Sequence, residues 1–200
     1  MLKVYGDVYS GNCFKVKLLL SHLALPHEWV HVDILKKETR TSNFLAKNPY
    51  GKIPLIEIEP GTFLSESSAI LNYLAEGTSF LPKDRLERAR VLQWISFEQY
   101  SHEPYIATAR FIIRYLDRPS HLEENLQQKM GPGYQALDAM EQHLSSQAFF
   151  VAERYTIADI GLYAYTHVAH EGGFDMSKYS AIASWIARVR SQAGYVGMDG

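Results

Sequence analysis

The chain has 200 residues, 46% of them hydrophobic and 21% charged, with 13 Gly and 8 Pro, which is the composition of an ordinary globular protein and excludes disordered, collagenous and mucin-like classes. Its 20 Lys plus Arg against 22 Asp plus Glu leave a formal charge of -2, so no positive field holds a polyanion, and nucleic acid is not an expected partner. A single cysteine, Cys13, excludes an intramolecular disulfide, no Cys/His cluster has zinc spacing, and no apolar run approaches the roughly 20 residues of a membrane-spanning helix. The expectation is a cytoplasmic protein without metal or membrane partner, and Met1–Tyr5, which lacks an apolar signal core, reads as a strand rather than a cleaved leader.

Leu2–Tyr5 alternates β-prone residues and stops at Gly6-Asp7, which predicts a strand and a turn. Ser10-Gly11-Asn12 then offers two N-cap side chains to a helix whose apolar positions run from Phe14 to Leu23, ahead of Pro26. Trp29–Ile34 alternates again as a second strand, and Thr41–Lys47 is a short helix stopped by Asn48-Pro49. Ile53–Ile58 is a third strand with Pro54 near its start; proline donates no ladder hydrogen bond, so it suits an edge, a first position or a bulge. Glu59–Thr62 is a turn, Phe63-Leu64 returns as the second strand of a hairpin, and Ser65-Glu66-Ser67-Ser68 caps a helix that reaches Gly77. No substantial strand pattern recurs after Pro82, which places a domain boundary near residue 80. Asp84–Leu116 reads as one long helix, with Leu86, Ala89, Leu92 and Ile95 on one stripe and a kink at Pro104. Gly131-Pro132 opens another helix through Leu144, and Thr156–Asp159 is a capping box that starts a third.

In this order of elements the chain resembles the glutathione transferase family over essentially its whole length. Three motifs carry the resemblance: Tyr9-Ser10-Gly11-Asn12-Cys13-Phe14-Lys15-Val16-Lys17 is similar to the family's catalytic loop and first helix, Asn48-Pro49-Tyr50-Gly51-Lys52-Ile53-Pro54 to its loop into a proline-bearing strand, and Ser65-Glu66-Ser67-Ser68-Ala69-Ile70 to its Glu-Ser motif. The Thr156–Asp159 box falls where the family places its own. The resemblance implies an α/β thioredoxin-like glutathione-binding domain over residues 1–78, an all-α domain carrying the electrophile site over 84–200, and a bacterial-type, serine-using enzyme of theta- or nu-like class. It also implies glutathione as co-substrate without a metal, transfer of its thiolate to a small hydrophobic electrophile in detoxification, and a homodimer in which Tyr50 is a candidate contact.

Ser10 is the leading catalytic candidate, because it lies between a strand end and a helix start, where backbone N–H groups and the helix dipole favour an anion. A free thiol with a pKa of about 8.5 stays protonated at neutral pH unless such donors lower it. The resemblance makes the Ser10 hydroxyl the donor to glutathione sulfur; on its own the residue reads as a helix cap. Asn12 is the second catalytic candidate, its amide a further donor, with a competing N-cap as its other role. Tyr5 and Tyr9 stay open as alternatives, since other classes use a tyrosine hydroxyl, although Tyr5 fits the tyrosine spacing to Lys17 only with a gap. Ser10-x-x-Cys13 lacks the first cysteine of Cys-x-x-Cys, which removes dithiol exchange, and Cys13 reads as a small packed residue. Ser10-Gly11-Asn12 also departs from the Ser-Ser-Cys of the class that isomerises maleylacetoacetate.

Pro54 is cis by resemblance and turns the Ile53 backbone to pair with the cysteinyl part of glutathione. The same resemblance implies that Glu66 and Ser67 receive the γ-glutamyl end, its ammonium on Glu66 and its carboxylate on Ser67 and backbone donors, and that Lys52, or else Arg40, is the cation for the glycyl carboxylate. Tyr9 and Tyr105 are the residues for electrophile binding, expected between the first domain and the long helices. Tyr100, Phe111, Tyr163 and Tyr165 fit the core, and His102, His167 and His170 show no ligand pattern. Two other functions stay open: a glutathione-dependent peroxidase or disulfide reductase in which glutathione supplies both thiols, and a non-catalytic binding protein of the same fold.

Overall fold

The computed structural model describes residues 1–198; Asp199 and Gly200, the last two residues of the helical domain expected over 84–200, lie outside the described residues. Among the described residues two compact units are present, one formed by Met1–Gly77 together with residues 192–198, the other by Thr78–Ser191.

The first unit is a four-stranded sheet in the order β2-β1-β3-β4, with β1 at Leu2–Gly6, β2 at His27–His31, β3 at Leu55–Glu59 and β4 at Thr62–Ser65. Strand β1 is parallel to β2, joined by helix α1 (Gly11–His22), and antiparallel to β3, which forms a hairpin with β4. Alternation along the strands sends side chains to two faces. On one, Val4 and Ile56 pack with Val16 and Leu20 of α1 and Ile70 of α3 (Ser67–Ala75), all fully buried, where each aliphatic side chain contributes about 1.5–3 kcal/mol. On the other, Tyr5 and Leu55 meet Val32 and Phe44, the latter from the short helix α2 (Ser42–Leu45). This is the expected thioredoxin-like arrangement.

The segment after Gln192 was expected to belong to the helical domain, but its carbonyls are taken up by α1. Lys17 Nζ donates to Gly197 O and Met198 O at 3.2 and 3.1 Å, Ser21 Oγ donates to Gly194 O at 2.8 Å, and His22 Nδ1 lies 2.8 Å from Ala193 O. Three polar side chains on one helix thus satisfy carbonyls of a strap that forms no helix or strand over its described residues, 192–198.

The second unit is helical apart from an isolated bridge between Val151 and Arg154. The long helix expected over Asp84–Leu116 is divided: α4 (Arg85–Phe97), capped by Asp84, passes through a π-helical turn at Glu98–His102 into α5 (Glu103–Arg110), and a second π turn follows at Phe111–Tyr115. Pro104 has no N–H for the ordinary helical bond, and the ladder widens just before it, with Glu103 N–H reaching back to Glu98 O. Each wide turn resets the phase of the apolar stripe. Tyr100 and Phe111, expected in the core, are therefore exposed, whereas Tyr163 and Tyr165 are buried as expected. Of the expected stripe, Leu86 and Leu92 face solvent, and Ile95 is buried together with Val91.

Gly131-Pro132 does not open a helix; it lies inside α6 (Glu123–Leu144). The neighbouring Gly133 makes room for Phe174, since a Cβ there would fall 2.5 Å from its ring. Helix α7 (Ile157–Thr166) is buried at every residue and runs through the centre of the unit, and α8 (Ser180–Arg190) covers it with Trp185.

Candidate functional site

Register places three sequence-distant segments together. Tyr5 pairs with Leu55, and Leu55 pairs with Ser65, so one row crosses β1, β3 and β4. Strand β1 runs toward that end, β3 starts from it, and β4 finishes at it. The loop Asp7–Ser10, the Ile53–Pro54 peptide and Glu66-Ser67 consequently emerge at the same end of the sheet.

The first segment is set by Asp7, a buried carboxylate whose Oδ1 accepts from Tyr9 N at 2.9 Å and whose carbonyl accepts from Ser10 N at 3.1 Å. Ser10 is the N-cap of α1, in extended backbone at φ -75 and ψ 122. Its Oγ accepts from Cys13 N at 3.4 Å, and its hydroxyl also acts as a hydrogen-bond donor toward the Cys13 thiol. Cys13 is fully buried, and burial pushes its thiol up to about 12, which keeps it protonated and unreactive. Its sulfur fits because residue 6 is glycine, where a Cβ would approach Sγ to 2.9 Å. Tyr5 donates its hydroxyl to Glu57 Oε2 at 3.0 Å, with burial and that carboxylate both raising its pKa, so its proton is already committed. Tyr9 is half exposed.

The second segment is organised by Asn48. Its buried side chain donates from Nδ2 to Lys52 O at 2.8 Å and accepts at Oδ1 from Tyr50 N at 3.2 Å, closing the loop that delivers the chain into β3. Gly51 occupies φ +60 within it, and Arg40, the alternative cation, donates to Tyr50 O at 3.4 Å. Lys52 is exposed, and the Ile53–Pro54 bond is cis. The ladder from β1 and β4 ends at Leu55, so the backbone N–H and C=O of Ile53 lie outside it.

The third segment is the start of α3. Glu66 precedes the helix at φ +68, and no side chain caps the terminus. Ser67 is buried, and its hydroxyl donates to Asn12 Oδ1 at 3.1 Å, tying the first turn of α3 to the first turn of α1 across 55 residues of sequence. Asp7 and Asn48 were missed as organisers of this end, although Gly6-Asp7 and Asn48-Pro49 are both turn-forming pairs. The Asn12–Ser67 link has no local signal.

Within the helical unit, Tyr105 lines an open cavity of about 260 Å³ with Phe97, Ser101, Pro132, Gln135 and Ala136, and Lys129 Nζ lies 5.9 Å from its ring centre. His102 is buried and lies 2.9 Å from Thr166 Oγ1; because that hydroxyl donates to Leu162 O, the His102 ring donates to it. No group of three or more His, Cys, Asp or Glu among the described residues suits a metal ion, and no helix is long and apolar enough to cross a membrane.

Residues 4–79 match the model for the glutathione S-transferase N-terminal domain, and residues 123–188 match that for the C-terminal domain. Maleylacetoacetate isomerase of Rhizobium meliloti (strain 1021) is 30% identical over 180 residues, 87% of this chain and 84% of the relative. The chain belongs to the glutathione S-transferase family. The crystal structure of glutathione S-transferase from Pseudomonas fluorescens Pf-5 is 57% identical and superposes with a TM-score of 0.97, over 98% of each chain. The disulfide-bond oxidoreductase YfcG of Escherichia coli (strain K12) is 28% identical over 196 residues, 93% of this chain and 90% of its own. The protein is thus a glutathione transferase enzyme with the α/β plus all-α fold of that family, and its relatives carry more than one activity.

Proposed function

We propose that the protein binds glutathione at the sheet end described above, holds its sulfur as a thiolate with Ser10 and Asn12, and transfers it to an electrophile. The observation that carries this is the convergence of three segments on the row Tyr5–Leu55–Ser65, each bringing a different kind of group. Ser10 brings a hydroxyl at the N-cap of α1, which can turn its proton from the neutral Cys13 thiol to a ligand thiolate, the stronger acceptor. Ile53 brings backbone groups beyond the ladder, next to Pro54, for the cysteinyl unit. Glu66 and Ser67 bring a carboxylate for the γ-glutamyl ammonium and the uncapped N–H groups of α3 for its carboxylate. Lys52, exposed beside Ile53, is the cation for the glycyl carboxylate, in preference to Arg40, which serves the Tyr50 carbonyl.

On this reading the thiol loses its proton to solvent, and the thiolate forms the carbon–sulfur bond as the leaving group departs with its electron pair. Positioned donors supply most of the acceleration. Tyr9 and Tyr105 are the aromatic surfaces offered to a hydrophobic electrophile, each in its own unit. The serine-using bacterial class, a thioredoxin-like domain ending near residue 78, a homodimer with exposed Tyr50 as a contact, a cytoplasmic setting and a part in detoxification belong to the same proposal.

Calorimetric titration with glutathione, followed by ultraviolet thiolate absorbance on the same sample, tests it. We expect binding with a thiolate signal, and loss of that signal with a fall in turnover of about 100-fold in Ser10→Ala. Absence of binding at millimolar glutathione would sink the proposal. The relationship to a disulfide-bond oxidoreductase favours one second reading, reduction of a mixed disulfide with glutathione supplying both thiols. Cys13 takes no part in it, being buried and held protonated. Faster turnover of a glutathione mixed disulfide than of an aromatic halide would select it.

A further inference from the structure

We propose that Asn48 is a positioning residue for glutathione: its amide fixes the Lys52–Ile53 peptide and so aims the Ile53 N–H that receives the cysteinyl carbonyl. The inference rests on the glutathione reading above. Asn48 takes up a polar group from each of the three residues after Pro49. Its Oδ1 accepts from Tyr50 N at 3.2 Å, its backbone carbonyl accepts from Gly51 N at 3.0 Å, and its Nδ2 donates to Lys52 O at 2.8 Å. The loop is therefore wound around a single residue, which is itself buried.

Only the third of these bonds acts on the peptide next to Ile53. The cis bond of this loop is Ile53–Pro54, so Lys52–Ile53 is trans, and in a trans peptide the C=O and N–H point in opposite directions. With Lys52 O held toward Asn48, the Ile53 N–H is turned away from it. Pro54 has no N–H, so Ile53 supplies the one backbone donor between Lys52 and the start of the ladder at Leu55. The direction of that donor therefore decides whether the cysteinyl carbonyl finds a partner. Both ends of the segment are anchored by other means: Asn48 N donates to Phe44 O at 2.9 Å, and the Ile53 side chain packs on the cluster of Val32, Phe44 and Leu55. What remains is rotation of the Lys52–Ile53 plane between these anchors, a motion that requires no shift of α2 or β3 and that the Nδ2 bond stops. A donor aimed in advance leaves less of the loop to be ordered on binding.

Asn48→Ser separates the bonds, because its hydroxyl still accepts from Tyr50 N but is too short to reach Lys52 O, and it adds no charge. The test is calorimetric titration of wild type and Asn48→Ser with glutathione and with an analogue in which a trans alkene replaces the Cys–Gly amide and so removes the cysteinyl carbonyl. We expect Asn48→Ser to weaken glutathione binding by about tenfold and binding of the analogue by less than about twofold. In turnover, KM for glutathione should rise by about the same tenfold with kcat changed by less than about threefold, since the sulfur donors belong to another segment. An equal loss for both ligands, which a loosened loop would give, overturns the proposal, as does an unchanged affinity for glutathione or a fall in kcat at constant KM. If Asn48→Ser does not fold, Asn48→Asp carries the same comparison: it keeps the size of the side chain and the acceptor for Tyr50 N, loses the donor to Lys52 O, and should again weaken glutathione more than the analogue. Wild-type protein that takes up neither ligand overturns the underlying reading instead, an outcome distinct from all of these.

Discussion

Helices α7 and α3 both begin at hydroxyl-bearing segments that predict a cap, and their starts are finished in opposite ways. At α7, Thr156 Oγ1 accepts from Ala158 N at 3.3 Å, while the Asp159 carboxylate accepts from Thr156 N, Thr156 Oγ1, Phe150 N and Trp185 Nε1 at 2.9 to 3.1 Å. Every donor near that terminus is matched inside the core. At α3 the residue before the helix stands at φ +68, its side chain caps nothing, and the one polar side chain of the first turn with an intramolecular role points across to α1. A closed terminus holds the fold, and an open one is a place for a ligand's anion. Strain tells the same story: Thr156 has relaxed extended backbone, whereas Glu66 stores about 1–3 kcal/mol in a conformation that side-chain-bearing residues avoid.

The largest effect should come from opening the closed end. Asp159→Ala removes the capping box and leaves the buried Trp185 and Phe150 N–H groups without an acceptor, a loss of about 3–5 kcal/mol in denaturant unfolding. Glutathione affinity of the folded fraction should be unchanged; a variant that stays stable but loses glutathione would break the comparison.

The two ends of α7 should also titrate in opposite directions. His167, its C-cap, is held down to about 4 by burial and by the nearby Arg190 and Arg110, so the unfolded chain takes up its proton first and stability falls as pH drops from about 6.5 to 4. Asp159 is raised to about 6 by burial against its four donors, so the folded chain keeps its proton longer and stability falls as pH rises from about 4 to 6. Each contributes on the order of 2–3 kcal/mol, and in wild type they cancel across their shared window. In His167→Gln the remaining slope should be a loss of stability with rising pH between 4 and 6, measured by denaturant melts; a profile as flat as wild type would refute the assignment.

What was legible in the sequence follows the same division between local and distant causes. The Ser10 cap, the Thr156–Asp159 box and the proline-led strand are written within a few residues of one another, and the structure forms each of them. The π turns at 98–102 and 111–115 were not, because a period of 3.6 was extended through Pro104 without allowing an extra residue in the turn, which misplaced Tyr100 and Phe111. The start of α6 was read at Gly131-Pro132 because proline suits the first position of a helix, but the helix begins at Glu123 and continues through both residues. The strap on Lys17, Ser21 and His22 and the Asn12–Ser67 bond join residues at least 55 apart, and such pairings have no signature in a single sequence.

The smallest effect, and the one that sharpens the comparison most, lies at Glu66. If the open end is strained for the sake of a ligand, relaxing it should improve the fold and harm binding together. Glu66→Gly releases the φ +68 strain, offset by about 0.5–1 kcal/mol of added backbone freedom in the unfolded chain, for a net gain near 1 kcal/mol. Glu66→Ala keeps the strain and gains nothing. Both lose the carboxylate proposed to hold the γ-glutamyl ammonium, so both should weaken glutathione binding by about tenfold in calorimetric titration. A Glu66→Gly protein that melts below Glu66→Ala would mean that no strain is released to offset the added backbone freedom, that Glu66 is held there without cost, and that α3 differs from α7 only in lacking a cap.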